Sequence, residues 1–127
     1  MTSQASLIDM SAFDQFVAMW GDEAGDVIQE IVGIFLENAP QLLGGMQGAL
    51  EAGNMRDLQR LAHTIKSNSA TVGAHSLAQV AQELEDAAKE GRREDAAVLF
   101  REIQDTFPEV RQQLEHILET FGVSGSA

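Results

Sequence analysis

The sequence has no cysteine among its 127 residues, which excludes disulfide bonds and thiolate metal sites. It also lacks an apolar run of the ~18 residues that a membrane-spanning helix needs, and its N-terminus lacks the pattern of a signal peptide. Neither a Gly-rich phosphate loop nor a GxSxG nucleophile elbow is present. We therefore expect a soluble, cytoplasmic protein with no nucleotide-binding site of this kind and no hydrolase site.

Basic residues are scarce and unevenly placed. The chain has 8 Lys and Arg against 20 Asp and Glu, a net charge of −12, which argues against nucleic acid or an anionic membrane as a partner. Residues 1–55 contain eight acids and no base, whereas residues 54–82 carry a net charge of +2. The bases of this window are Arg56, Arg60 and Lys66. Such a locally basic surface suggests an anion or an acidic partner.

No segment alternates polar and apolar residues convincingly, so we expect helices rather than strands. Asp9 is placed to cap a first helix that ends at Gly21, and Asp22 to cap a second. The run Asn38-Ala39-Pro40 predicts a stop, because the residue before proline avoids the helical region. Pro40 then begins a further helix that includes three glycines and closes at Gly53.

The second half of the chain gives a clearer helical pattern. Asn54 caps a helix that runs to Val72, and a break at Gly73 predicts a hairpin with a helix that ends near Gly91. Apolar residues then recur at alternating steps of four and three from Ala96 to Phe121, as in the seam of a helical bundle. Because this register passes through residue 108, a proline, we predict one bent helix there.

The expected fold is all-α, an up-down antiparallel four-helix bundle with an additional short N-terminal helix. One domain would cover residues 7–121, with flexible ends at 1–6 and 122–127. The hydrophobic content of 44% supports a globular domain.

One helix carries the best candidate for a functional site, in the stretch 58–73. At about 100° per residue, His63 projects roughly 155° from the centre of the apolar stripe and should face water. Lys66 and Ser67 follow at i+3 and i+4 on the same face. Composition alone would make His63 an ordinary surface histidine. No second histidine or carboxylate follows it at metal-ligand spacing, so no metal site is expected.

The other two histidines are weaker candidates. His116 should also be exposed, but it lies between Glu115 and Glu119 with no basic neighbour. His75 follows Gly73 at the start of a helix. Both are interpreted as ordinary surface residues.

A longer pattern surrounds His63. The run Ala62-His63-Thr64-Ile65-Lys66 is followed by Gly73-Ala74, Leu77 and Leu84-Glu85. This pattern resembles the histidine-containing phosphotransfer (Hpt) domain, and the likeness extends over roughly residues 7–121. The resemblance implies a phosphorelay intermediate in two-component signalling: His63 accepts a phosphoryl group from a receiver-domain aspartate or a histidine kinase and passes it to a response regulator.

The resemblance also implies roles for other residues and the identity of the partners. Lys66 would offset the charge of the phosphoryl group, and no cofactor is expected on this chain because magnesium would belong to the receiver. Partners would be response regulator receivers and a hybrid or ordinary histidine kinase, with this chain a free-standing monomer. The residues expected to contact a partner are Arg56, Gln59, Arg60, Ala70 and Gly73.

Two positions depart from the family pattern. Ser67 replaces the usual glycine, and its hydroxyl would either crowd the phosphoryl group or hydrogen-bond it. At Glu85 some relatives carry a glutamine that orients the imidazole. In this chain the carboxylate either does the same or is an ordinary residue on the flank of its helix.

Three alternatives stay open at this point. The chain could be a non-phosphorylated helical adaptor in which His63 is incidental. It could be a substrate domain that a kinase's ATP-binding domain phosphorylates directly. It could also be a domain excised from a larger kinase.

Overall fold

The computed structural model describes residues 7–122, which form five α-helices and one short 3-10 helix. The predicted flexible ends, 1–6 and 122–127, lie outside these residues except for Gly122, the last residue of the final helix. The all-α prediction is confirmed. The elements are α1 (Ser11–Trp20), a 3-10 helix (Gly21–Glu23), α2 (Ala24–Ala52), α3 (Met55–Thr71), α4 (His75–Lys89) and α5 (Arg93–Gly122).

The four long helices form the predicted up-down bundle. In it α2 packs against α3 and α5, and α4 packs against the same two helices. Short α1 is the additional N-terminal helix and packs on α2. Side chains from all of these helices meet in one core, and fully burying one large aliphatic side chain contributes about 1.5–3 kcal/mol. The largest buried side chains include Phe13, Ile28, Met46, Leu58, Ile65, Leu77, Leu84, Ile103 and Leu114.

The start of α3 is set by two residues that the sequence identifies. Gly53 ends α2 in the left-handed conformation, with φ of 70°, which favours a residue without a Cβ. The Asn54 side chain then accepts a hydrogen bond from the backbone N–H of Asp57, at 3.1 Å. This is the N-cap interaction that satisfies one free donor of the first turn. The predicted cap at Asn54 is confirmed.

The predicted stop at Asn38-Ala39-Pro40 is wrong, because α2 continues through it as a single helix of 29 residues. Pro40 is exposed while Ala39 is buried, so the proline ring lies on the solvent side. A proline in a helix interior costs about 3 kcal/mol. The buried stripe continues on both sides of it, through Phe35 and Met46, and packing of this stripe outweighs that cost.

The predicted caps of the first two helices are also imprecise. Met10 occupies the cap position of α1, although Asp9 Oδ1 accepts the N–H of Ser11 at 2.9 Å. Asp22 does not cap α2: it lies inside the 3-10 helix, and Glu23 precedes α2 without a side-chain cap bond. The extra turn displaces the start of α2 by one residue, from a predicted cap at Asp22 to Glu23.

Helix α5 passes through Pro108 unbroken from Arg93 to Gly122, which confirms the prediction of one helix. Its seam faces the core: seven of the predicted apolar positions, from Ala96 to Ile117, are buried, and Phe121 packs at its edge. Within the part of the chain that the structure describes, no helix is long and apolar enough to cross a membrane.

The hairpin between α3 and α4 turns at Gly73, as predicted. Gly73 has φ of 80°, and the N–H of Asp9 donates to its carbonyl oxygen at 2.8 Å. A Cβ on this glycine would lie 2.8 Å from the carbonyl oxygen of Asp9, a distance at which the backbone must shift. The segment before α1 therefore packs directly on the turn that ends the His63 helix.

Candidate functional site

His63 lies on the outer face of α3, as its position relative to the apolar stripe predicts. Its side chain is 59% exposed, whereas Ala62 and Ile65 on either side of it along the chain are completely buried. The alternation follows from the helical repeat, since neighbouring residues project about 100° apart. The imidazole is therefore held on a rigid helix yet is open to solvent.

The His63 ring is anchored by a carboxylate from the neighbouring helix. Nδ1 of His63 lies 3.0 Å from Oε2 of Glu85 on α4. The other carboxylate oxygen, Oε1, accepts a hydrogen bond from Lys66 Nζ at 2.9 Å, and Lys66 also donates to Gln82 at 2.8 Å. One carboxylate thus joins the histidine and the lysine, and α3 is tied to α4 at this point.

The environment of Glu85 keeps its carboxylate ionised. Partial burial raises the pKa of Glu85, but the hydrogen bonds from Lys66 and then from His63, with the charges of both groups, outweigh that effect. The net result is a pKa below the ordinary value of 4.5. At neutral pH the Glu85 carboxylate is therefore ionised and can only accept hydrogen bonds.

The protonation of the His63 ring follows from this contact. Because an ionised carboxylate can only accept, the nitrogen that faces it, Nδ1, must carry the hydrogen. The lone pair of the neutral ring is then on Nε2, the nitrogen away from Glu85. Among the described residues no side chain hydrogen-bonds Nε2. The geometry produces an exposed imidazole with a free nucleophilic nitrogen.

An open groove of about 290 Å³ lies beside the His63 ring. Arg56, Gln59, Arg60 and Thr64 of α3 line it, together with His63 and Glu85. Arg60 also contacts Asp57, with Nη2 and Oδ1 3.0 Å apart. Three of the five residues expected to contact a partner thus surround the histidine.

The remaining two of these residues, Ala70 and Gly73, differ in their accessibility. Ala70 is exposed, as is Ser67 one turn beyond His63. Gly73 is buried beneath the backbone of Asp9, and its contact with a partner stays a prediction. The packing of the N-terminal segment explains why glycine is present there.

Sequence reasoning missed the contact of Gln82 with Lys66 and the pairing of Asp9 with His75. Gln82, which holds Lys66, lies three residues before Glu85 and thus shares its face of α4, a spacing that could have identified it. Asp9 contacts His75, with Oδ2 and Nε2 3.2 Å apart. These two groups are far apart in sequence and nothing local predicts their pairing. His75 and His116 are both exposed, as expected.

No group of three or more His, Cys, Asp or Glu side chains in residues 7–122 is arranged to hold a metal ion. The Glu85 carboxylate already forms an ion pair with Lys66. The site therefore offers an exposed nitrogen nucleophile and nearby positive charge.

Comparison with known proteins identifies the family of this chain. The sequence profile of the Hpt domain matches residues 30–120. The chain is 32% identical over 80 residues to multistep phosphorelay regulator 1 of Schizosaccharomyces pombe, covering 63% of this chain and 27% of that protein. The chain thus spans about a quarter of the length of this curated relative.

A solved structure shares the fold. Histidine-containing phosphotransfer protein B (HptB) of Pseudomonas aeruginosa superimposes with a TM-score of 0.82 at 24% identity, covering 93% of this chain and 99% of that one. The profile match extends over most of the chain and contains His63, Lys66 and Glu85. The chain belongs to the Hpt domain family, whose members are histidine phosphotransfer intermediates of multistep phosphorelays.

Proposed function

We propose that His63 is the residue that carries the phosphoryl group, and that Nε2 is the nitrogen on which it is carried. The observation that supports this most strongly is the 3.0 Å contact of Nδ1 with Glu85, because it leaves the lone pair on Nε2. Neither of the other two histidines has this combination of an anchoring carboxylate and a basic surrounding. His116 lies near Glu119, at 3.7 Å, on a strongly exposed face.

The proposed transfer needs no proton to leave the ring. Nε2 attacks the phosphorus of an aspartyl phosphate, the N–P bond forms, and the bond between phosphorus and the aspartate oxygen breaks to release a carboxylate. Nδ1 keeps its hydrogen, so the ring becomes a cation that bears a dianionic phosphoryl group. Glu85 lies against that cation and stabilises it. Transfer to the next receiver reverses these steps.

The proposed partners are receiver domains and a hybrid or ordinary histidine kinase. Because phosphoryl transfer depends mainly on positioning and on neutralisation of charge, this chain can supply the nucleophile while the receiver supplies magnesium. We propose that the chain is a carrier without catalysis of its own and that it acts in the cytoplasm. Its lack of cysteine fits a reducing compartment.

Transfer of label from a radiolabelled phosphorylated receiver tests the proposal. The wild type should gain a label that is stable in alkali and labile in acid, and His63→Gln should gain none. His75→Gln and His116→Gln are matched controls that should be labelled like the wild type. If His63→Gln is labelled equally well, the assignment is wrong. If no variant is labelled but receiver binding persists, the chain is an adaptor.

A further inference from the structure

A phosphoryl group on His63 requires positive charge near Nε2, whereas Lys66 is connected through the Glu85 carboxylate to Nδ1. Its Nζ is bonded to Gln82 and Glu85 of α4, at 2.8 and 2.9 Å, and its side chain is only 26% exposed. Its charge is already balanced by that of Glu85, which holds Nδ1. Lys66 is therefore placed to fix the carboxylate rather than to meet a group on Nε2.

The other nearby cations are Arg56 and Arg60, in the two turns of α3 that precede His63. Both line the groove beside the ring, and Lys66 does not. Side chains on a helix lean towards its N-terminus, so His63 leans over the turn that contains Gln59 and Arg60. A group attached to the exposed edge of the ring would extend towards these arginines.

Both arginines are available to a new anion. The pair between Arg60 and Asp57 joins side chains that are 69% and 46% exposed, and such surface pairs contribute little to stability. Arg60 can exchange this carboxylate for a phosphoryl oxygen, since Asp57 keeps its contact with the Asn54 amide at 3.0 Å. In residues 7–122 no ion pair involves Arg56.

We propose that Arg56 and Arg60, rather than Lys66, hold the phosphoryl group on His63, and that Lys66 is a positioning residue acting through Glu85. This inference rests on the proposed function. Two guanidinium groups match the two negative charges of the phosphoryl group, and their planar forks suit its oxygens. Glu85, which lines the groove, is neutralised by Lys66, and the Asp57 carboxylate that contacts Arg60 is also bound by the Asn54 amide.

The test observes the phosphoryl group without any partner protein. The 127-residue chain is phosphorylated on histidine by phosphoramidate, whose P–N bond breaks with release of ammonia. The second ionisation of the phosphohistidine is then followed by phosphorus NMR. Nearby cations favour the dianion, so Arg56→Gln and Arg60→Gln should each raise the observed pKa by about 0.5 unit, and the double variant by more. Arg101→Gln, on α5 diagonally across the bundle, removes the same charge and should change little.

Lys66→Gln separates the two roles. It should leave the pKa of the phosphoryl group close to that of the wild type. It should also shift the nitrogen NMR signals of the unphosphorylated His63 ring, because Glu85 loses the hydrogen bond from Lys66 that fixes its position. The inference is overturned if Lys66→Gln moves the phosphorus titration more than the double arginine variant, or if Arg101→Gln moves it equally. Absence of phosphohistidine in the wild type, or its presence in His63→Gln, would instead refute the proposed function.

Discussion

Glu85 organises the site at the scale of single residues. One of its oxygens orients the nucleophilic ring and the other holds Lys66, so a single carboxylate defines which nitrogen reacts. The sequence identified Glu85 as a candidate but could not choose between this role and an ordinary place on the flank of α4. The choice depends on the register of α4 against α3, which is set by the turn and the core rather than by local sequence.

The lowered pKa of Glu85 makes a prediction about stability and pH. A carboxylate whose pKa is lower in the folded state stabilises the fold fully above its unfolded pKa, near 4.5, and loses this contribution as pH falls through the folded value. Glu85→Gln should therefore be less stable than the wild type at pH 7, with the difference shrinking at more acidic pH. Urea unfolding from pH 7 to about pH 3 measures this.

The control for this prediction is Glu83→Gln, which removes an exposed acid from the same helix. The free energy of unfolding of Glu83→Gln should stay close to that of the wild type over the whole pH range, since no ion pair among the described residues involves Glu83. A pH-independent difference for Glu85→Gln would contradict the stabilising role of its ionised form.

Ser69 is buried on α3, and its hydroxyl oxygen has no hydrogen-bond partner among the described residues. An unpaired buried polar group costs about 1–3 kcal/mol, so Ser69→Ala should raise the free energy of unfolding by about 1 kcal/mol. Ser67→Ala, exposed on the same helix, is the matched control because it makes the same gain in helix propensity. Equal effects on urea unfolding would show that the buried hydroxyl carries no penalty.

At the scale of elements, the two internal prolines show what sequence can reveal. In α5 the alternation of four and three through Pro108 correctly predicted one helix. The same alternation runs through Pro40, along Ile28, Val32, Phe35, Ala39, Leu42, Met46 and Ala49. Local signals from the dipeptide Ala39-Pro40 and from three glycines favoured a break there. The register of the buried stripe is the better predictor, since packing supplies most of the stability of a helix.

The turn between α3 and α4 provides a prediction at the same scale. Gly73→Ala places a Cβ 2.8 Å from the Asp9 carbonyl oxygen at a φ of 80°, so it should lower the free energy of unfolding by about 2 kcal/mol or more. Gly91→Ala is the control, because its φ is 72° but nothing lies within 4 Å. Gly91→Ala should lower the free energy of unfolding by only about 1 kcal/mol, the cost of placing alanine in the left-handed conformation.

Urea unfolding of both variants separates the clash from the conformational strain. If the two substitutions cost the same, the contact between Asp9 and Gly73 does not stabilise the hairpin. A larger loss for Gly73→Ala would show that the segment before α1 is part of the folded unit that supports the His63 helix.

The whole molecule combines an acidic chain with a site in its least acidic part. The net charge is −12, yet the groove beside His63 contains two arginines. The helices after Gly53 and the exposure of His63 followed from hydrophobic spacing, and the functional hypothesis from the short pattern around His63. Contacts between segments that are distant in sequence, such as those of Gln82 with Lys66 and of Asp9 with His75, required the three-dimensional packing.

The resemblance to HptB indicates that the fold depends on the pattern of the sequence, whereas the site depends on particular residues. A TM-score of 0.82 at 24% identity shows that the bundle tolerates wide changes in sequence, because a core needs mainly the right pattern and volume. The site depends on particular atoms, so its chemistry must be tested in this chain itself.

The most direct test of the central claim is a complete relay. Wild-type protein loaded with radiolabelled phosphoryl groups from one receiver is purified and mixed with a second, unphosphorylated receiver and magnesium. Label should leave phosphohistidine on His63 and reach the second receiver's aspartate, and His63→Gln should block the passage entirely. Passage of label through His63→Gln, or its release from the wild type only as inorganic phosphate, would contradict the claim that His63 carries the phosphoryl group between receivers.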